Sequence, residues 1–252
     1  MKASPAGQRR LLDLADLDAE IARARHRLRS LPEAEQVVAV DAELAAAHGD
    51  VEKAQAAVDE LQTEYEKVDA ELTGMTEHAA RDRAQLEAGN LGHKAMSEMQ
   101  HELAGLERRR DLLESDLLEI MERQEALGME LERAEATVLT LETRRTEAVT
   151  ARDHATATTE NEVTEFLSRR AAVVAEIPGD LLAVYERLRE QGRVGAGLLR
   201  QKRCGACRME LDPRTLSAVA AAAEDDVVRC EECDAIMVRT EQSGLPKAGA
   251  AQ

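Results

Sequence analysis

The residues best placed to do chemistry are four cysteines, and they are the only cysteines in the chain. They form two matched pairs, Cys204-Gly205-Ala206-Cys207 and Cys230-Glu231-Glu232-Cys233, separated by 22 residues. Two residues between thiols make a knuckle tight enough to wrap both sulfurs onto one ion. Two knuckles supply a tetrahedral S₄ set, the donor set of a closed structural Zn²⁺ site. The expected cofactor is therefore one structural Zn²⁺ held by Cys204, Cys207, Cys230 and Cys233. An iron–sulfur cluster also takes four cysteines and stays open at this point. A thioredoxin-like pair needs one C-x-x-C inside a βαβ pattern that the chain lacks, and a disulfide framework needs a secreted context without a signal peptide here to support it. Four cysteine ligands leave no coordination position for water or substrate, so this metal should hold a fold and not act on a substrate.

The rest of the 252 residues read as the elements that carry this site. One Phe, two Tyr and no Trp are too few aromatics for an ordinary large core, and 33% of the chain is charged. That balance points to long helices packed along narrow seams. No run of eighteen apolar residues is present, so no membrane span is expected and the cytoplasm is the default location. A net charge of −17 argues against non-specific binding to nucleic acid over the whole surface, leaving room only for a local basic site.

Ser4-Pro5 reads as a helix start. Leu14, Leu17, Ile21, Leu28 and Leu31 then recur at helical intervals, and Pro32 breaks the phase. Beyond it Leu44, Val51, Val58, Tyr65 and Leu72 fall seven apart, with Ala47, Ala54, Leu61, Val68 and Met75 between them, a heptad seam. A Gly-rich turn at 88–93 follows. The heptads restart at Met96, Leu103, Leu117, Leu131 and Val138, with Met99, Leu106, Leu113, Ile120, Leu127 and Leu141 alongside, and Arg110, Gln124 and Arg145 interrupt the first of these rows. Arms of 80 and 84 residues (8–87 and 94–177) around one turn favour an antiparallel hairpin over pairing between chains. The seam weakens from Arg152 to Glu162, where Thr and Ala replace Leu.

The fold class is thus mostly α: a long antiparallel coiled-coil hairpin (1–177) followed by a small C-terminal zinc ribbon. A short helix and a flexible Gly-rich joint (178–197) should connect it to the C4 ribbon (198–241), with a disordered tail at 242–252. Strands are expected at Met209 to Leu211, Val227 to Arg229 and Ala235 to Arg239, and a helix at Leu216 to Ala223.

Together these residues resemble the bacterial C4-type zinc-ribbon proteins with an N-terminal coiled-coil hairpin. The resemblance covers essentially the whole chain. It rests on Gly89-Asn90-Leu91-Gly92 with Met96 to Leu118, on Cys204-Gly205-Ala206-Cys207-Arg208-Met209, and on Asp226-Val227-Val228-Arg229-Cys230-Glu231-Glu232-Cys233. It implies a helical hairpin carrying a zinc ribbon, no demonstrated catalysis, and links to partner-protein chaperoning and to nucleic-acid binding. Asp234, where glycine commonly follows the second knuckle, and Met237, where Leu is usual, depart from that pattern. Asp tolerates the left-handed conformation better than most residues, so the knuckle should survive.

An enzyme is not expected: no phosphate loop, activated nucleophile or aromatic-lined pocket is legible, and the six histidines are scattered along helices as solvated side chains. The first expectation is a non-catalytic scaffold, adaptor or chaperone for a protein partner, met at the hairpin tip by Leu86, Leu91, His93, Lys94 and Met96. The alternative is nucleic-acid (RNA) binding through the ribbon and its basic approach, with Arg193, Arg200, Lys202, Arg203 and Arg208 as candidate contacts. That stretch, from Arg187 to Arg208, has a local balance of +5 counting Glu186 and Glu190, but no aromatic residue to stack a base. Neither a small-molecule substrate nor a membrane is expected as a partner.

Overall fold

A computed structural model of the chain describes residues 1–245. Helix α1 spans Pro5–Arg29, α2 Pro32–Glu87 and α3 His93–Ala175. The Ser4 hydroxyl accepts a hydrogen bond from the Gly7 amide at the start of α1, and Pro5 takes a first-turn position where its missing N–H costs nothing. The expected break lies at Ser30 and Leu31, and Pro32 opens the next helix. After α3 come α4 (Gly179–Glu190), β1 (Ala196–Arg200), β2 (Arg203–Cys204), α5 (Pro213–Ala221), β3 (Val228–Arg229) and β4 (Ile236–Val238). No helix among the described residues is long and apolar enough to cross a membrane.

The chain divides into two compact units. One is Glu33–Ala151, and the other is Met1–Pro32 with the described residues from Arg152 onward. The division falls at the Pro32 break on one arm and at the start of the Thr/Ala-rich stretch on the other.

In the first unit α2 and α3 run antiparallel. Asp41 meets Arg145, Gln62 meets Gln124, Glu71 meets Arg109 and Arg83 meets Glu107, one number falling as the other rises. The heptad positions read from the sequence are the buried or half-buried ones, with Ala47, Leu61, Leu103, Leu113, Leu117, Ile120, Val138 and Leu141 most enclosed. Two of the three polar interruptions earn their place across the seam: the Gln124 amide donates to the Gln62 side chain at 2.9 Å, and Arg145 Nε donates to Asp41 at 2.5 Å. Arg110 instead pairs within its own helix, with Asp111 and Glu114. Continued by sevens, the α2 seam runs on to Ala79, Asp82 and Leu86, so a carboxylate occupies a core position.

In the second unit the end of α3 packs along α1, tied by Arg10–Glu176 and Arg27–Glu162 pairs. A half-buried ion network adds α4: Arg170 Nε donates to Asp18 Oδ1 at 2.7 Å, Arg170 also pairs with Glu186, and the Tyr185 hydroxyl donates to Asp18 Oδ2 at 2.8 Å. Burial alone would lower the Arg170 pKa, but its bonds to Asp18 and Glu186 outweigh burial and hold it above the ordinary value. Burial, and then the bond to Asp18, pushes the Tyr185 phenol well above its usual range, so it stays a neutral donor.

The four strands form one sheet in the order β2-β1-β4-β3, with β1 parallel to β4 and the other pairs antiparallel. Ala196 of β1 and Ile236 of β4 join Leu11, Leu14, Ile177, Leu181 and Tyr185 in a single hydrophobic cluster. The sheet therefore shares a core with α1 and α4. The short helix expected within 178–197 is α4, and the flexible Gly-rich joint expected after it is corrected, because Ala196 and Gly197 are strand. Gly195 and Gly197 are close-approach residues: a Cβ on Gly195 would lie 2.4 Å from the Tyr185 ring, and one on Gly197 would lie 2.4 Å from the Ala206 amide nitrogen. The N-terminus joins the same assembly, since the Ala3 amide donates to Asp225 and the Val227 amide to Met1. Gln8, buried, donates to the carbonyls of Ala3 and Glu224.

Three further expectations need adjusting. Met209 to Leu211 is no strand, holding only the single bridge Arg203–Glu210. The helix between the knuckles begins earlier than Leu216, at Pro213, because Asp212 caps it by accepting from the Arg214 and Thr215 amides. The tail expected from Gln242 is structured at its start: Glu241–Ser243 form a 3₁₀ turn, Ser243 is buried, and Leu245 packs against the ribbon core. The remainder of that tail, 246–252, lies outside the described residues.

Substituting Gly197→Ala should destabilise the sheet by about 1–3 kcal/mol, because backbone must move to admit the methyl group. Gly49→Ala, inside α2 with nothing within 4 Å of the new Cβ, should stabilise by about 1 kcal/mol. Urea unfolding of both variants checks the pair; equal effects would contradict the close packing of β1 on the first knuckle.

Candidate metal centre

Each knuckle is a short backbone loop closed by its own hydrogen bonds. The Arg208 amide donates to the Cys204 carbonyl at 2.7 Å and the Asp234 amide to the Cys230 carbonyl at 2.8 Å. The Cys204 amide donates to Met209 and the Cys230 amide to Ala235, at 3.0 and 2.9 Å. The residue after each second cysteine turns left-handed, Arg208 at φ 65° and Asp234 at φ 63°. Asp234 thus adopts the conformation for which glycine is the common choice. Its carboxylate pairs with Arg229, helping to hold the turn.

β1 turns back antiparallel into β2, which sets Cys204 beside Leu199 and returns the first knuckle along β1. β4 leaves the second knuckle parallel to β1, with Ile236 beside Ala196, so the hairpin and the parallel pair together bring the knuckles to one end. Cys204 Sγ lies 3.9 Å from Cys233 Sγ, Cys207 Sγ lies 3.9 Å from Cys230 Sγ, and all four sulfurs fall within 4.8 Å of one another. Four sulfurs at 2.3 Å from a central zinc sit roughly 3.8 Å apart in a tetrahedron. The cysteines are free thiols, and Cys204 and Cys230 are buried. Burial pushes the Cys204 thiol up and the Cys233 thiol up to about 12. Four thiolates this close together repel one another and need a cation to balance them, and spacing, burial and donor chemistry all fit Zn²⁺ as a structural ion. Beneath them lie Leu199, Leu211, Val219 and Met237, the last fully buried where Leu was the expected type. Arg239 closes the ribbon by donating to the carbonyls of Val219, Ala222, Ala223 and Asp226, the first three at the end of α5.

The five basic candidates are exposed and lie on different parts of this unit. Lys202 lies in the two-residue turn between β1 and β2, where Gln201 and Lys202 are left-handed at φ 49° and 65°, and Arg200 and Arg203 flank it as a cross-strand pair. That pair of positive angles is the hairpin turn normally written Asn-Gly, and Gln-Lys gives no such signal in the sequence. Arg193 precedes β1, Arg208 sits in the first knuckle, and Arg203 is partly neutralised by Glu210 at 3.6 Å. Arg189, counted in the +5 balance, is engaged with Asp18 and Glu186 instead. At the hairpin tip Leu86, Leu91 and Met96 are half-buried, while His93 and Lys94 are exposed. Lys94 stands 3.9 Å from Glu98.

Cys204→Ser should abolish stoichiometric zinc binding, measured by metal analysis of the purified chain. Because the sheet shares its core with α1 and α4, hydrogen exchange should accelerate in α4 and the first half of α1 as well as in the ribbon. Residues 33–151 should keep wild-type protection. Acceleration confined to residues 198–241 would show that the shared cluster does not couple them.

Comparison with known proteins agrees with this geometry. Residues 14–193 match the family model of the CT398-like coiled coil hairpin domain, and residues 203–237 match the C4-type zinc ribbon domain. The chain is 38% identical over 241 residues to the uncharacterized protein Rv2229c of Mycobacterium tuberculosis, covering 96% of this chain and 98% of the relative. It is 32% identical over 228 residues to the uncharacterized protein ML1638 of Mycobacterium leprae, covering 89% and 97%. Among solved structures, a Mycobacterium smegmatis protein superposes with a TM-score of 0.84 at 39% identity, covering 95% of this chain and 100% of that one. CT398 of Chlamydia trachomatis superposes with a TM-score of 0.63 at 17% identity, covering 93% and 98%, a likeness of fold. With its hairpin and its four-cysteine ribbon both accounted for, this chain belongs to the family of CT398-like coiled-coil hairpin proteins carrying a C4-type zinc ribbon.

Proposed function

We propose that the chain is a non-catalytic scaffold of the cytoplasm that binds a protein partner along the outer face of α3. The observation that carries this reading is a set of large apolar side chains outside the seam. Leu118, Met121, Met129 and Leu139 are 61%, 51%, 50% and 64% exposed. At 100° per residue they fall within a sector of about 80° around the helix. Leu112 and Leu167 of the same helix, also exposed, lie outside that sector. Exposed leucines scattered singly need no account, but four large apolar residues on one side of one helix form a stripe suited to another apolar surface. Methionine adapts its shape to a partner more readily than branched residues do. The tip residues Leu86, Leu91 and Met96 are half-buried and offer less apolar surface. Free thiols around a zinc ion fit a reducing compartment.

A photoreactive residue at Met129, expressed in the native cell, should crosslink one discrete protein that persists after nuclease treatment. Leu118→Glu with Leu139→Glu should remove that product while circular dichroism stays unchanged. An unchanged crosslinking pattern in the double variant would overturn the reading.

A second reading, RNA binding by the ribbon, is favoured by Arg200, Lys202 and Arg203 projecting from one exposed turn. Reversing all three to Glu should abolish RNA retention on a filter and flatten its salt dependence, since about three phosphate contacts would be lost. Retention with an unchanged salt slope would exclude that turn as the site.

A further inference from the structure

The heptad seam of residues 33–151 contains one charge that its apolar neighbours do not explain. Asp82 occupies a core position on α2, is 7% exposed, and its Oδ2 accepts no hydrogen bond. No lysine or arginine lies within salt-bridge distance of it among the described residues; the neighbouring Arg81 and Arg83 pair with Glu77 and Glu107. A carboxylate buried without compensation is costly, and a coiled-coil core position is a poor place for one. What faces it is His78 Nε2, 3.5 Å from Asp82 Oδ2, one helical turn earlier on the same helix. From α3, Glu102 Oε1 reaches to 4.0 Å from the same imidazole nitrogen. The three ligand atoms all lie within 4.8 Å of one another.

We propose that His78, Asp82 and Glu102 form a second metal site, separate from the zinc ribbon, for a first-row dication such as Zn²⁺. A neutral imidazole and two carboxylates carry two negative charges, which a dication neutralises. One nitrogen with two carboxylate oxygens is the donor set of a borderline cation and not of Ca²⁺ or Mg²⁺, which prefer oxygen alone. In a tetrahedral site with bonds of 2.0–2.2 Å the ligand atoms stand roughly 3.4 Å apart, so the His78–Asp82 edge is already formed. Glu102, its side chain 56% exposed, is free to rotate inward and complete the face. Three protein ligands leave a fourth position to water. Bound there, the ion fastens α2 to α3 at a seam position where apolar packing is interrupted, and it satisfies the orphan Oδ2.

The test uses the full chain with its ribbon loaded with zinc and excess metal removed. Calorimetric titration with Zn²⁺ near neutral pH should show one further equivalent per chain, accompanied by a rise in the thermal unfolding temperature. His78→Ala, Asp82→Asn and Glu102→Gln should each weaken that equivalent by about tenfold or more and remove the zinc-dependent rise. Glu102→Gln changes an exposed side chain and leaves the seam intact, so its result stands even where the other two variants fold poorly. Absence of a second equivalent up to about 1 mM Zn²⁺ overturns the proposal. So does a second equivalent that binds Glu102→Gln and wild type alike, which would place that ion elsewhere on the acidic surface.

Discussion

The parallel pairing of β1 with β4 is the contact on which the C-terminal half of the protein depends. β1 folds back antiparallel through β2 into the first knuckle, and β4 begins just after the second, beside the start of β1. The register of β4 on β1 therefore sets how Cys204 and Cys207 meet Cys230 and Cys233. One face of the pair is covered by the α1 and α4 side chains, Leu11, Leu14, Leu181 and Tyr185. The metal and the helices thereby hold the same two strands. Glycine at 195 and 197 permits it, because any side chain there would separate β1 from Tyr185 or from the knuckle backbone. The small ribbon core of Leu199, Leu211, Val219 and Met237 is thereby supplemented by the cluster that the same strands share with α1 and α4.

Polar residues in the helical seam have three different fates. Gln124 and Arg145 find partners across it, and Arg110 turns along its own helix. These are exchanges of water for protein partners near the surface, worth little in stability but able to set the register of two long helices. Asp82 differs in being enclosed, and its histidine neighbour at one-turn spacing gives it a chemical option that the others lack.

The outer surface makes a similar distinction. Acidic and basic side chains cover most of the helical faces, while Leu118, Met121, Met129 and Leu139 share one side of α3. On the ribbon and α4, the basic residues split between those engaged in structure, such as Arg189 and Arg239, and those exposed at the β1–β2 turn, of which Arg203 lies near Glu210. A count of charges over a stretch of sequence merges the two kinds, and only their partners separate them.

Much of the fold was legible because it rests on periodicity. Seven-residue spacing from Leu44 to Leu72 and from Met96 to Leu141 specifies a seam, Pro32 and the glycines near residue 90 specify its breaks, and two C-x-x-C pairs specify four metal ligands. Each of these signals is local: the chemistry of a few residues at fixed spacing suffices to produce it. The tertiary structure alone decided which long-range contacts form. It made Gly195 and Gly197 packing positions in place of a joint, since the ring and backbone that crowd them come from Tyr185 and Ala206. It carried Met1–Ala3 onto the edge of the ribbon at Asp225–Val227, and it set Glu102 opposite His78 and Asp82. Such contacts join residues far apart in the chain, and no repeat or spacing rule within either segment encodes its partner.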